Sequence, residues 1–595
     1  MFAEVSLPIS SFQIFTYSIP ENLKKSLLVG SRVKVPFGAR KVSGIIVSLI
    51  DESSFAGNLK SIIDVDDNMP VLSNELWKLV NWISHYYVTP IGLAYNTVLP
   101  FSLLSKHSPR RSWFVRYLSS HKSDKKNTYE KLSPKQNSIF EAIRKAPLEY
   151  IKVSRFKAIS SNPISICKAL EKKGLVELEK RNQDKAIEET SFKSLKKNIL
   201  YNKEQLKVIK SLKTAIKSGV YSPNLLHGVT GSGKTEIFIE IIKTVKKLGK
   251  CSIVLIPEIS LTSQIAGRFK QVFGDDMALW HSQLSKSQRA KTWRDINDGT
   301  CKIVIGARSA IFSPVKNLGL IIVDEEHDSS YKQDEGIRYN ARDMAISRAS
   351  IENIPVLLST SIPSLETYNN VKNRKYNFTK LEKRYKNFSL PHAEIVDLSL
   401  NKKNKNIWID IKTLSLVKKY LDKNEQVLFF LNRRGFAPFM ICKSCGLKLE
   451  CPNCSIFLTF HKHLNKGMCH HCGYKTDIKR KCEKKNSHCD FQMYGPGVEK
   501  IFSELKEIFP EKKIKILSSD FLTKKKETYE LLNDIEKNKV NILVGTQLIS
   551  KGFNFPNLNC IVVVDADFSG MGFDLRSTEK NIQLYNQLSG RAGRF

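Results

Sequence analysis

Acidic residues are scarce in this chain. Against 95 lysines and arginines stand 58 aspartates and glutamates, a formal charge of +37 over 595 residues. So one-sided a balance excludes an acidic, self-solvating polypeptide. It favours a polyanionic partner held through counterion release, with strong salt dependence. Lysine is plentiful even in ordinary loops, so part of the excess is compositional, and charge alone only points towards nucleic acid. Also lacking is any apolar run long enough to span a bilayer. The N-terminal MFAEVSLPIS has no basic start followed by an apolar stretch, so an export signal is not expected. The expectation is a cytoplasmic protein with no membrane partner. Internal repeats of solenoid period are absent too. A hydrophobic share of 41% excludes wholesale disorder, and the length allows roughly three to five domains.

Cysteine is sparse but concentrated. Eight of the twelve lie between Cys442 and Cys489, as Cys442-x2-Cys445, Cys451-x2-Cys454, Cys469-x2-Cys472 and Cys482-x6-Cys489. A Cys-x2-Cys step lets two thiolates reach one tetrahedral ion, and two such pairs close a structural zinc site. Eight cysteines therefore suggest two Zn²⁺. A disulfide cluster suits an exported chain better than this one. The last pair is widely spaced, and His488 could replace Cys489 as the ligand. The nearby Lys443, Lys448, Lys462, Lys481 and Lys484 either offset the charge of the zinc–thiolate centres or present a phosphate-binding face.

The stretch from Asn224 to Thr235 contains Gly228-Val-Thr-Gly231-Ser-Gly233-Lys234-Thr235, the pattern G-x-x-x-x-G-K-[ST] between an apolar strand and an amphipathic helix. Its glycines let backbone amides wrap phosphates. Lys234 would meet the β- and γ-phosphates of ATP, and the Thr235 hydroxyl would hold Mg²⁺. Leu320-Ile-Ile-Val-Asp324-Glu325-Glu326-His327 reads as a buried strand ending in carboxylates. There Asp324 would orient Mg²⁺ and Glu325 would polarise the attacking water. Upstream, Gln205 is placed to read the adenine edge. The strand Ile303–Gly306 runs into Ala307-Arg308-Ser309, at the carboxyl edge where a parallel sheet binds ligands, and Arg308 is a candidate DNA contact. Gln426–Leu431 and Ile542–Gly545 read as strands of a second α/β lobe. The chain closes with Gly590-Arg591-Ala-Gly593-Arg594-Phe595. Arg591 and Arg594 suit arginine fingers reaching the γ-phosphate.

Together these motifs resemble the superfamily 2 helicases. The Cys-rich insertion and the Asp324-Glu-Glu-His327 box resemble, within them, the bacterial primosomal replication-restart helicases. Ser31-Arg-Val-Lys-Val-Pro-Phe37-Gly38 and the segment from Tyr331 to Asp343 extend the likeness over essentially the whole chain. The resemblance implies an ATP-dependent 3′→5′ DNA helicase, a DNA-stimulated ATPase that recognises stalled or repaired forks and initiates primosome assembly. Its implied partners are forked and single-stranded DNA, helicase-loading proteins and single-strand binding protein, and its setting is a nucleoid-associated, monomeric one. It also implies a pocket for the nascent 3′ end, where Phe15, Tyr17 and Lys60 fall. A winged helix should follow, with Leu132–Gln136 opening a helix and Leu175–Glu177 in a wing. The outer cysteines (Cys442, Cys445, Cys482, Cys489) would bind one zinc and the inner four (Cys451, Cys454, Cys469, Cys472) the other. An aromatic loop after the acidic box would couple DNA to hydrolysis, with Tyr331 and Tyr339 stacking on bases.

Four departures from the family pattern stand out. Thr16 replaces an acidic residue in the 3′-end pocket, and Ile337 replaces an aromatic in the coupling loop. Ser359-Thr-Ser-Ile362-Pro363 replaces Gly-Ser-Ala-Thr-Pro, so Ile362 lacks a hydroxyl. The family also continues into a C-terminal DNA- and partner-binding domain, which is either absent or belongs to a longer chain. The second and third departures motivate an alternative, a fork-binding scaffold with weak or uncoupled ATPase activity.

The expected architecture is multidomain α/β. A small β-rich DNA-binding domain (1–105) precedes a linker and winged helix (106–197), with Ser119–Lys131 and Lys180–Lys197 as polar connectors. Two RecA-like parallel-sheet lobes follow, 198–390 and 391–595, the second carrying a zinc module at 440–492.

Overall fold

In the computed structural model, the described residues are 1–24, 26–52, 57–65, 72–99, 111–117, 132–144, 151–182, 200–257, 263–282, 284–384, 391–397, 408–432, 439–442, 449–453, 458–461, 466–469, 472–477, 491–494, 498–517, 531, 533–546, 555–564, 566 and 575–593. The chain forms two compact units.

The first unit comprises residues 1–73, 84–197 and 282–298. Strands β1 (Phe2–Ser6), β2 (Phe15–Ser18), β3 (Arg32–Phe37), β4 (Arg40–Ile50) and β5 (Asp64–Val65) form an antiparallel sheet in the order β2-β1-β4-β3-β5. Side chains alternate along a strand. In β2 this turns Phe15 and Tyr17 to the core beside Ala3, Val5, Val33 and Val35, and leaves Thr16 and Ser18 on the opposite face. Gly92, in the helix Ile91–Val98, lies so close to the Leu7 carbonyl that a Cβ would overlap it. A second sheet has β6 (Arg111–Tyr117) between β7 (Ile151–Lys152) and β8 (Val176–Asn182). It packs with the helices Pro134–Arg144 and Pro163–Lys172 around Phe140, Ile143, Leu170 and Leu175. Ser133 and Gln136 cap the first helix reciprocally, each side chain accepting the other's N–H at 3.3 Å, so the Leu132–Gln136 signal does open a helix. The connector Ser119–Lys131 and most of Lys180–Lys197 lie outside the described residues.

The second unit, 74–83, 198–281 and 299–595, holds the two α/β lobes. Lobe one is built on β9 (Ser222–Gly228), β10 (Cys251–Leu255), β11 (Met277–Trp280), β12 (Ile303–Gly306), β13 (Leu318–Val323), β14 (Pro355–Thr360) and β15 (Asn377–Leu381). These seven strands are parallel, in the order β11-β12-β10-β13-β14-β9-β15. A parallel sheet covered on both faces requires near-continuous apolar strands; accordingly every residue of β10, β12, β13 and β14 is buried.

In lobe two, β16 (Gln426–Leu431) is followed by an antiparallel insert of β17 (Phe439–Cys442), β18 (Thr459–His461), β19 (Lys466–Met468), β20 (Lys475–Asp477) and β21 (Phe491–Tyr494). The lobe then resumes with β22 (Ile514–Leu517), β23 (Ile542–Gly545) and β24 (Leu558–Val564), giving a parallel sheet β22-β23-β16-β24. Alternate residues of β16 serve two cores. Val427, Phe429 and Leu431 meet Val417, Ile501 and Leu505 on one face, and Leu428 and Phe430 meet Ile535, Leu584 and Leu588 on the other. Both lobes are RecA-like. Among the described residues no helix is long and apolar enough to cross a membrane.

Candidate active site

The strand order of lobe one sets the site. β14 lies between β9 and β13, so the segment leaving β14 separates the phosphate loop from the acidic box and can touch both.

Past β9, Gly231 and Gly233 adopt φ of +84° and +82°, conformations that cost glycine little. The helix Lys234–Lys247 starts directly after them, which leaves its first N–H groups free for an anion. Lys234 Nζ donates to the Gly228 carbonyl at 2.9 Å and lies 3.5 Å from Glu325 Oε1. Gln205 sits behind the loop. Its Nε2 donates to the Ser232 carbonyl at 2.9 Å, and its Oε1 accepts the Asn202 N–H at 2.9 Å in a capping box that opens the helix Lys203–Ser218. A Cβ on Gly233 would come within 2.5 Å of that nitrogen. Each end of the carboxamide makes one backbone bond, leaving one N–H and one lone pair for a further partner.

Asp324 and Glu325 follow β13. Burial, and then the charge of Glu325, push the Asp324 carboxyl up to about 7, with Lys234 pulling the other way. Burial also acts on Glu325, but Lys234, His327 and Arg591 outweigh it and hold this carboxyl below its usual value. Neighbouring carboxyls driven apart in this way divide the labour: one favours a cation beside it, the other stays ionised. Glu325 Oε2 is buried and has no hydrogen-bond partner among the described residues, leaving an acceptor for water. The Glu325 backbone is left-handed at φ +46°, held by the Asp328 N–H on its carbonyl at 2.8 Å. Such strain in a non-glycine residue marks a functional turn. The oxygen donors of Thr235 and Asp324 suit Mg²⁺, a hard cation.

No motif announces the network around Glu326 and His327. Glu326 is 1% exposed. It accepts from Ser364 N–H (2.7 Å), Ser364 Oγ (3.0 Å), Thr367 Oγ1 (2.9 Å) and Arg342 Nη1 (3.2 Å), clamping the box to the start of the helix Leu365–Lys372. His327 Nδ1 lies 2.6 Å from Thr360 Oγ1, which donates to the Ile362 carbonyl, and His327 Nε2 lies 2.8 Å from Gln587 Nε2 in lobe two. On the β9 side, His227 Nε2 lies 3.0 Å from the Ser361 carbonyl. The hydroxyl missing at Ile362 is thus not the one that meets the box, since Thr360 supplies it.

Arg591 follows the helix Ser577–Ser589 and acts electrostatically on Glu325, whereas Arg594 lies outside the described residues. Of the DNA candidates, Arg308 donates to the Lys332 carbonyl at 3.0 Å and Lys60 is exposed beside β2. The aromatic candidates are placed otherwise than expected. Tyr17 is buried with its hydroxyl on the Pro36 carbonyl (3.2 Å), and Phe15 packs edge-on to Phe37. Tyr331 and Tyr339 are 1% and 2% exposed. Tyr331 Oη lies within 3.0 Å of the Leu255 and Asp324 carbonyls, and Tyr339 packs on Phe312. Flanked by apolar strands, these rings fill the core and offer no face to a base. Ile337 is also buried.

In the insert, Cys451, Cys469 and Cys472 bring their sulfurs within 4.8 Å of one another, with 3.5 Å between Cys451 and Cys472. Thiolates at about 2.3 Å on a tetrahedral zinc are about 3.8 Å apart, so the trio fits that ion. Cys442 ends β17; Cys445, Cys454, Cys482, His488 and Cys489 lie outside the described residues.

Comparison with known proteins decides the family. The chain is 36% identical over 593 residues to the replication restart protein PriA of Rickettsia conorii, covering 100% of itself and 78% of that protein. It belongs to the PriA family. The PriA proteins of Haemophilus influenzae and Bacillus subtilis are 36% and 32% identical, over 80% and 82% of their lengths. Family models place a PriA 3′ DNA-binding domain at residues 4–100 and a DEAD/DEAH box helicase at 184–369. They place a PriA DNA helicase Cys-rich region at 451–476 and a helicase conserved C-terminal domain at 484–595. The chain is accordingly a DNA helicase with ATPase activity and a zinc-binding Cys-rich region, of the family that restarts replication. The Cys-rich match spans the inner cysteines, three of which the structure brings together.

Proposed function

We propose that this chain unwinds DNA 3′→5′ at stalled or repaired replication forks and starts primosome assembly there. On this reading it engages forked and single-stranded DNA, helicase-loading proteins and single-strand binding protein, as a monomer in the cytoplasm associated with the nucleoid. The observation that carries the motor reading is the meeting of Lys234, Glu325 and His327 in lobe one with Gln587 and Arg591 of lobe two. ATP entering the loop exchanges its phosphates for the Gly228 carbonyl and Glu325 as partners of Lys234. Thr235 and Asp324 would hold Mg²⁺, which would neutralise phosphate charge. Glu325, held ionised chiefly by Lys234, orients water. Arg591 and Arg594 stabilise charge on the γ-phosphate. The link Gln587–His327–Thr360–Ile362 passes the state of the nucleotide between lobes, and Arg308 contacts the translocating strand.

Two zinc ions complete this reading. The inner cysteines Cys451, Cys454, Cys469 and Cys472 hold one, and Cys442, Cys445, Cys482 and Cys489 the other. The sheet β7-β6-β8 and its two helices act as a winged helix, and Lys60 contributes to 3′-end capture.

The test is ATP hydrolysis and strand release, measured together on a forked duplex with a nascent 3′ end. Lys234→Ala should lower both by about 100-fold or more while leaving fork binding within a few-fold. Equal unwinding by the variant overturns the reading. The scaffold alternative rests on Ser359–Pro363 and Ile337, and DNA-stimulated hydrolysis without strand release in the wild type would favour it.

A further inference from the structure

Arg384 lies just beyond β15, and no motif singled it out. It is 4% exposed and meets no carboxylate among the described residues. An uncompensated buried cation is costly, and burial holds its pKa below the usual value. What it meets instead are carbonyls of lobe two: Nη1 donates to Ala592 (3.1 Å) and Gly593 (3.2 Å), and Nη2 to Ser589 (3.2 Å). A helix end leaves its last carbonyls without intrahelical donors, and a cation there also complements the dipole. The stem of Arg384 runs beneath the phosphate loop, its Cγ 3.9 Å from where a Gly231 Cβ would stand. Glu204 Oε2 accepts the N–H groups of Glu382 and Lys383 at 3.1 and 3.3 Å and so fixes the chain leading to it. From the other side, Gly590 backs onto Thr230 so closely that a Cβ would overlap that side chain.

We propose that Arg384 is a positioning residue for ATP hydrolysis: by gripping the carbonyls of Ser589, Ala592 and Gly593 it sets Arg591 against the phosphate loop. This rests on the reading of Arg591 as a γ-phosphate contact. The Arg384 guanidinium is taken up by those carbonyls, so its loss would displace Arg591 without removing a ligand of the nucleotide. A displacement of about 1 Å costs on the order of 100-fold in rate.

The experiment is a double-mutant cycle on the full chain, reading DNA-stimulated kcat and, separately, the Kd for a fluorescent ATP analogue. Arg384→Ala should lower kcat by about 10- to 100-fold and move Kd less than threefold. Arg384→Lys, which keeps the charge but not the fork, should recover little. Acting through Arg591, Arg384→Ala should add no further loss to Arg591→Ala. A multiplicative loss in the double variant, or a tenfold rise in Kd with kcat unchanged, overturns the proposal. Wild-type kcat in Arg591→Ala alone overturns the Arg591 reading instead, and the proposal with it. Should Arg384→Ala fail to fold, Arg384→Gln, which keeps one donor, carries the same cycle with the same outcomes.

Discussion

Two carboxyls on adjacent residues behave oppositely because their surroundings differ. Glu325 has Lys234, His327 and Arg591 around it, whereas Asp324 has chiefly burial and its neighbour's charge. In the nucleotide- and Mg²⁺-free protein, Asp324 therefore holds its proton up to about pH 7, while the unfolded chain releases it near pH 4. Between those values the folded state binds the extra proton, so stability from this group is present at low pH and lost as pH rises. The slope is roughly 1 kcal/mol per pH unit, and the loss levels off above about 7. Urea unfolding of wild type against Asp324→Asn from pH 5 to 9 should show this difference and its plateau; saturating MgATP should abolish it. Glu326, next in line, is a clamp and not a catalyst. Glu326→Gln leaves Arg342 Nη1 facing a neutral partner, with Asp343 still on its Nε at 2.9 Å, and should cost about 2 kcal/mol in the same assay.

At the scale of elements, much was legible because strands and loops obey local rules. The parallel strands are apolar from end to end, the phosphate loop carries glycine where φ is positive, and Cys-x2-Cys steps announce a metal. What was not legible depends on the order of strands in space. Nothing in Glu326, Thr360 or Arg384 announces a partner, since each acquires one only after β14 has settled between β9 and β13 and lobe two has docked. The aromatics of the 331–339 segment were misread for the same reason: a tyrosine beside an acidic box looks available for stacking until the sheet buries it. Gln205 sits at the expected distance from the loop, yet spacing cannot say which way a carboxamide turns. The insert yields a prediction at this scale. Zinc released by a thiol-reactive mercurial should number two per chain, and chelation should open residues 449–477 to protease while leaving the thermal unfolding of the lobes within a few degrees.

For the whole molecule, the charge of +37 is a statement about salt more than about affinity. A chain neutralising six or more phosphates should lose about 300-fold or more in single-stranded DNA affinity between 50 and 200 mM salt. A logarithmic plot of binding constant against salt, measured by fluorescence anisotropy on single-stranded DNA, should be straight with a slope near −4 or steeper. The pairing of Phe439 with Tyr494 across β17 and β21 bears on the order of assembly. Departure and return of the insert meet at one point, and closing the chain between them costs only about 2 kcal/mol more than closing a short turn. β16 can find β23 and β24 before any metal arrives. In a cell starved of zinc, newly made copies would assemble the frame of the motor on schedule and wait, with one appendage unset, for the ion that finishes them.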